Sequence, residues 1–197
     1  MNGDKIIDEE QIIAERKQEL LDLLKKLNEH YNIRHSYSGQ PPQLKIKKHL
    51  LYGKYAYCDY ISHNSIYLSY RAVLDDCYIS TFLHEYAHIL WFERQRCRRQ
   101  IKDRQKVIRE KQREIETIRK RLKTWNFGIP ITTKPTATKP KKRERNKWHD
   151  DEFCLCLENI LLFVFGDVWK YDFENHDYKC VKKWFEQKYK KKETATH

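Results

Sequence analysis

The feature that most constrains this chain is a run from Asp76 to Lys123 that contains neither glycine nor proline. Along its first part, apolar residues recur at spacings of 3, 4 and 7, the pattern of a helix with one buried face. In its second part they recur every seventh residue, as in a coiled coil. A single helix over this run would measure roughly 70 Å, more than a small core can cover. The pattern predicts a long charged helix that projects from its domain, folds back, or pairs with another helix, which could belong to a second copy in a homodimer.

The first part of this run contains His84-Glu85-Tyr86-Ala87-His88, an H-E-x-x-H pattern. On a helix the two histidines lie one turn apart on the same face, so both imidazoles can bind one Zn²⁺ at about 2.0 Å. The glutamate beside the first histidine can then transfer a proton. The pattern predicts a zinc site with His84 and His88 as ligands and Glu85 as the catalytic residue. The competing interpretation is a helix whose histidines are only packed or exposed.

A catalytic zinc usually has three protein ligands and keeps one position open. The third ligand should come from a structured element after the motif. His149 is the preferred candidate, because it directly precedes a strongly amphipathic segment. Asp150 or Asp151 can cap a helix there, and that helix should end near Gly166. The alternative ligands are Glu152 and Glu158 on the same predicted helix, and then His176.

The rest of the chain predicts an α+β fold. An amphipathic helix should span Ile6 to Tyr31, and apolar residues alternate between Leu44 and Tyr70 as in two or three antiparallel strands. These strands, the motif helix and the helix after Asp150 would form a small core. We expect an N-terminal helix and loop over 1–43, a core of 44–91 and 148–187, a basic helical insertion with a flexible linker over 92–147, and a basic tail over 188–197.

Positive charge is concentrated in the predicted insertion. From Phe92 to Trp148 there are 21 Lys and Arg against 6 Asp and Glu, a larger excess than the +12 of the whole chain. Such a concentration is typical of segments that bind nucleic-acid phosphates, although it also occurs on solvated helix faces. The predicted nucleic-acid-binding residues, with DNA as the candidate partner, are Arg98, Arg99, Lys102, Lys141, Lys142 and Arg143.

Nothing in the sequence predicts a membrane or secretory segment. No stretch reaches the roughly 18 to 20 apolar residues of a membrane span, and Met1–Glu10 lacks the apolar core of a signal peptide. The 6 cysteines include no C-x-x-C pair, so the sequence predicts no cysteine zinc ribbon. In a reducing compartment we expect these thiols to be free and largely buried. We therefore expect no membrane partner and an intracellular location, cytoplasmic or with nucleoid or nuclear DNA.

The motif and its surroundings resemble the SprT-like zinc metallopeptidases, which include the Spartan proteases. The resemblance lies in two short strands, then T-F-L-H-E-Y-A-H-I-L from Thr81 to Leu90, then H-D-D-E-F from His149 to Phe153. The family pattern is H-E-x-x-H followed by H-x-x-x-F or H-x-x-x-W. The resemblance covers 44–91 and 148–166, about one third of the chain. Two features depart from the family pattern. Sixty residues separate His88 from His149, far more than the family's usual short spacer, and the cysteine zinc module found beside many members is absent.

This resemblance implies a minimal zincin fold and peptidase activity on protein substrates. It also implies Zn²⁺ held by His84, His88 and His149, with Glu85 as catalytic base. Some members act on proteins crosslinked to DNA, so the basic insertion could recruit the chain to DNA-bound proteins. A substrate strand could add to the sheet edge near Ile66 to Tyr70.

Two other functions stay open from the residues alone. The first is a nucleic-acid-binding protein with a mainly structural zinc core. The second is a gluzincin-like regulatory protease that cleaves a repressor, with Glu152 or Glu158 on the metal.

Overall fold

The structure, a computed structural model, describes residues 9–34, 39–62, 64–125, 149–173 and 179–193. Its helices are α1 (Glu9–Tyr31), α2 (Tyr70–Leu74), α3 (Tyr78–Trp125), α4 (Asp151–Phe165) and α5 (Lys179–Glu193), and its strands are β1 (Gln43–Lys47), β2 (Ala56–Asp59) and β3 (Ser65–Ser69). The fold is α+β, as predicted. Contacts divide the chain into one unit of residues 1–93 and 147–197 and a second unit of residues 94–146.

The sheet has three strands in the order β1-β3-β2. β2 is antiparallel to β3, as predicted, but β1 is parallel to β3, so the prediction of antiparallel strands was wrong for β1. Alternating apolar residues indicate which face of a strand is buried and carry no information about its direction. β3 is central and buried along its whole length. The predicted substrate edge near Ile66 to Tyr70 is therefore wrong, because β3 is paired on both sides.

Helix α1 packs on the core through the apolar positions that its seven-residue spacing predicted. Ile13, Leu20 and Leu27 are buried, while Ile6 lies outside the described residues. The Arg16 guanidinium donates hydrogen bonds to the carbonyls of Val73 (2.9 Å) and Asp75 (2.8 Å), where α2 leads into α3. These bonds attach α1 to the start of the motif helix.

Helix α4 begins and ends as predicted. The Asp150 carboxylate caps its first turn by accepting a hydrogen bond from the amide of Phe153, and Gly166 ends it with a left-handed φ of 69°. Helix α5 packs against α4, where buried Glu158 accepts hydrogen bonds from Lys188 and Tyr189. The predicted tail is helical as far as Glu193, and residues 194–197 lie outside the described part.

Helix α3 is continuous over 48 residues, in agreement with the predicted long helix. Phe82, Leu83 and Tyr86 are fully buried, whereas every residue from 97 to 123 is exposed. Among the described helices, none combines the length and apolar character that a bilayer span requires. The predicted linker beyond Trp125 lies outside the described residues.

Candidate metal centre

The two motif histidines lie side by side inside the protein. His84 is 1% exposed and His88 is 9% exposed, and their ring centroids are 4.9 Å apart. One helical turn separates them, and the neighbouring Leu83 and Ala87 are fully buried in the core. The interpretation that these histidines are simply exposed is therefore wrong.

His149 joins this pair because the start of α4 is bonded directly to the motif helix. The indole Nε1 of Trp91, one turn after His88, donates a hydrogen bond of 2.9 Å to the Asp150 carboxylate. The same carboxylate oxygen caps α4. Asp150 thus connects α3 with α4, which are distant in sequence. Its neighbour His149 has its Nε2 atom 3.3 Å from the Nε2 atom of His88.

The three histidines have separations suited to a shared metal ion. One nitrogen from each of His84, His88 and His149 lies within 4.8 Å of the others. For tetrahedral Zn²⁺ with bonds of about 2.0–2.1 Å, two ligand nitrogens are about 3.3 Å apart. The His88–His149 pair already has this separation, and the nitrogen of His84 lies within 4.8 Å of both. The three residues therefore fit Zn²⁺ by donor type and by spacing.

Burial also favours the protonation state that a metal requires. Burial, and then the neighbouring His149, lower the pKa of His88 to about 3. Burial likewise lowers the pKa of His149, although Asp150 opposes this effect. Both rings are therefore neutral near pH 7, and neutral imidazole is the form that binds a metal.

Two aromatic residues fix the orientation of the imidazoles. The ring of Phe153, which is fully buried, contacts all three histidines at centroid distances of 5.1, 4.4 and 4.7 Å. The Tyr171 hydroxyl lies 3.1 Å from Nδ1 of His84, which leaves Nε2 as the nitrogen directed to a metal. Tyr171 was missed from the sequence because it lies 87 residues after His84 and in no recognisable motif.

Glu85 lies between the histidine cluster and the edge strand β2. Its carboxylate accepts a hydrogen bond from the backbone amide of Cys58, and Lys54 also favours its charged form. Burial outweighs both and raises the pKa of Glu85 to about 7. A carboxyl group with such a pKa can accept and release a proton near neutral pH.

A cleft of about 310 Å³ runs along β2 and reaches the histidine cluster. Its lining combines residues 56–61 with Glu85, His88 and Phe92 from α3. β2 pairs only with β3 among the described strands, so its other edge is unpaired within this sheet, and its residues line the cleft. The cleft thus places Glu85 and one of the three histidines, His88, beside β2.

The alternative third ligands, Glu152 and Glu158, do not join the three histidines. Glu158 is engaged by Lys188 and Tyr189 on α5. Neither Glu152 nor Glu158 belongs to the group of potential metal ligands found among the described residues, which consists of the three histidines. His176 lies outside the described part of the chain.

The predicted nucleic-acid-binding residues are only partly described. Arg98, Arg99 and Lys102 lie on the exposed portion of α3. Lys141, Lys142 and Arg143 lie outside the described residues.

The chain was compared with protein-family models, with curated proteins and with solved structures, and none of the three comparisons found a match. The function is therefore inferred from the residues and their geometry.

Proposed function

We propose that this chain is a zinc-dependent metallopeptidase of the minimal zincin type, similar to the SprT-like enzymes, that hydrolyses peptide bonds in protein substrates. Its zinc ligands are His84, His88 and His149, and Glu85 is its general base. The observation that carries the proposal is the convergence of three imidazoles beside a buried glutamate, at the side of an open cleft.

In the proposed mechanism, the histidines hold the metal ion and Glu85 transfers the proton. When bound, Zn²⁺ would polarise the scissile carbonyl and lower the pKa of a water molecule. Glu85 would accept the proton of the attacking water and pass it to the leaving amine. The Cys58 amide holds the Glu85 carboxylate at the rim of the cleft, so the base stays close to the substrate path.

The edge of β2 is the proposed place for the substrate backbone. An extended peptide can bond to an open strand edge through its main chain, which gives affinity with little sequence preference. β2 lines the cleft beside Glu85 and His88. A peptide paired with β2 would therefore pass beside Glu85 and His88.

The proposal is tested by separating metal binding from catalysis. Glu85→Gln removes the base and keeps the size of the side chain, so zinc content per chain should stay the same while cleavage of labelled casein falls by about 10²–10⁴-fold. Glu116→Gln, on the exposed part of α3, is the matched control and should retain full activity. Equal cleavage by Glu85→Gln and the parent would exclude this mechanism.

The exposed part of α3 supports recruitment to DNA. At 100° per residue, nine Lys and Arg fall within an arc of about 140° that contains a single acidic residue, Glu116. These nine are Arg94, Arg98, Arg99, Lys102, Lys106, Arg109, Arg113, Lys120 and Lys123. Side chains spaced along one face in this way can contact successive phosphates of a duplex. We call this arc the basic face.

DNA binding is tested by removing two positive charges from the basic face in one variant and two from another side of the helix in a second variant. Lys102→Gln with Arg109→Gln should reduce the salt dependence of duplex binding by about 2 in log–log slope, because two phosphate contacts are lost. Arg96→Gln with Arg121→Gln changes the same charge outside the basic face and should have a clearly smaller effect. Fluorescence anisotropy with a short duplex measures both, and equal losses in the two double variants would contradict a defined basic face.

A further inference from the structure

The side of α3 opposite the basic face carries an exposed apolar stripe. The stripe consists of Cys97, Ile101, Ile108, Ile115, Ile118 and Leu122. Its four isoleucines and its leucine are 50–55% exposed, and no described element covers them. A helix with one apolar face normally buries that face against another element. The stripe is therefore a candidate interaction surface.

The spacing of the stripe identifies the kind of partner. Ile101, Ile108, Ile115 and Leu122 repeat at intervals of 7 residues without interruption. A straight helix drifts by about 20° per such interval, so a strict repeat stays in contact only with a second helix that coils around it. A flat lipid surface requires no such period. The partner is accordingly a helix.

We propose that the partner is the same stripe of a second copy, aligned antiparallel. Arg104 and Lys111 occupy the remaining seam positions of the stripe. In a parallel dimer each of these cations would face its own counterpart, which is destabilising. In the antiparallel register, the facing pairs are Ile101 with Ile118, Ile108 with Lys111, Ile115 with Arg104, and Leu122 with Cys97 of the other copy. Each cation then covers an isoleucine with its aliphatic stem while its charged end reaches water.

The area and charge of the stripe determine how strongly two copies associate and how salt affects this association. The half-exposed stripe offers on the order of 600 Å² per copy, somewhat below the roughly 800 Å² per partner of a typical stable interface. Residues 94–123 carry 14 Lys and Arg against 4 Asp and Glu, so two such helices repel each other. Salt screens this repulsion and should strengthen the dimer, whereas it weakens DNA binding. The dimer leaves both basic faces directed outward.

Cysteine crosslinking tests the direction of pairing. The exposed Cys180 is first replaced by serine, so that Cys97 is the exposed thiol among the described residues. In antiparallel helices the two Cys97 thiols lie roughly 37 Å apart, so mild oxidation should yield no Cys97–Cys97 dimer. Adding Leu122→Cys should yield a covalent dimer, with peptide mapping that joins position 97 to position 122. A Cys97–Cys97 crosslink would overturn the antiparallel arrangement.

Sedimentation velocity of the full chain tests whether a second copy binds at all. Dimerisation should increase at least tenfold between about 50 mM and 500 mM salt, as repulsion is screened. Ile108→Gln with Ile115→Gln should abolish it, and Lys106→Gln with Arg113→Gln, on the basic face, should not weaken it. A chain that stays monomeric at high salt would overturn the proposal. Neither outcome bears on peptidase activity, because none of these residues belongs to the histidine site.

Discussion

The hydrogen bond between Trp91 and Asp150 is the connection on which the third ligand depends, and it leads to a quantitative prediction. The Asp150 carboxylate accepts two hydrogen bonds of 2.9 Å, one from the Trp91 indole and one from the Phe153 amide. Asp150→Ala removes both. The variant should lose stability, and it should lose zinc affinity because His149 is no longer held beside His88.

The size of the loss follows from the two bonds. Removing the cap of α4 costs about 1 kcal/mol. The Trp91 side chain is 3% exposed, and leaving its buried indole N–H without an acceptor costs about 1–3 kcal/mol more. We therefore expect Asp150→Ala to lower the free energy of unfolding by about 2–4 kcal/mol. Asp150→Asn keeps an acceptor oxygen and should lose less than about 1 kcal/mol, mainly its interaction with the helix dipole.

Urea unfolding in the presence of a chelator measures the first effect, and zinc titration calorimetry measures the second. A double-mutant cycle with Trp91→Phe isolates the interaction between the two side chains, which should be about 1–2 kcal/mol. Zinc affinity of Asp150→Ala should fall by about 10–100-fold. Asp151→Ala, which changes an exposed neighbour, is the control. Unchanged stability and zinc affinity in Asp150→Ala would refute the view that this bond positions His149.

Three further predictions concern single side chains. Tyr171→Phe removes the hydroxyl that orients a proposed zinc ligand, so zinc affinity should fall by about tenfold or more in calorimetry while the urea midpoint stays nearly constant. Asp75 has its pKa lowered from 3.8 to about 2, first by the hydrogen bond from the Tyr55 hydroxyl and then by hydrogen bonds from the amide and thiol of Cys77. Its stabilisation is therefore complete above about pH 4 and lost towards pH 2, and thermal melting of Asp75→Asn should show a weaker pH dependence there. Gly166→Ala should lower the free energy of unfolding by about 1 kcal/mol in urea, because its φ of +69° is unfavourable for a residue with a Cβ. The added Cβ meets no atom within 4 Å, so no steric clash adds to this cost. An unchanged free energy of unfolding would contradict this prediction.

Elements whose signal is local were predicted well from the sequence. The cap at Asp150, the glycine stop at Gly166 and the continuous helix through the motif all follow from residues within a few positions of each other. The buried positions of α1 follow from its seven-residue spacing. These features depend on backbone hydrogen bonding and on which face is apolar, and both are written in consecutive residues.

Elements that depend on distant contacts were predicted less well. The parallel pairing of β1 with β3 was missed, because a strand pattern does not specify its neighbour. For the same reason the predicted substrate edge falls on β3, although β3 is the central strand. Tyr70 continues the alternating pattern of β3, yet it is the first residue of α2.

The sequence by itself determined the chemistry available to this protein: two histidines and a glutamate on one helix, a histidine at the start of another, and a helix with a basic and an apolar face. Only the tertiary structure decided which of these groups meet. It brings His149 to His88 through the Trp91–Asp150 bond, Tyr171 to His84, and the Cys58 amide to Glu85. The physical reason is that local hydrogen bonds and side-chain periodicity act within a turn or a strand, whereas contacts between residues distant in the chain depend on how the whole core packs.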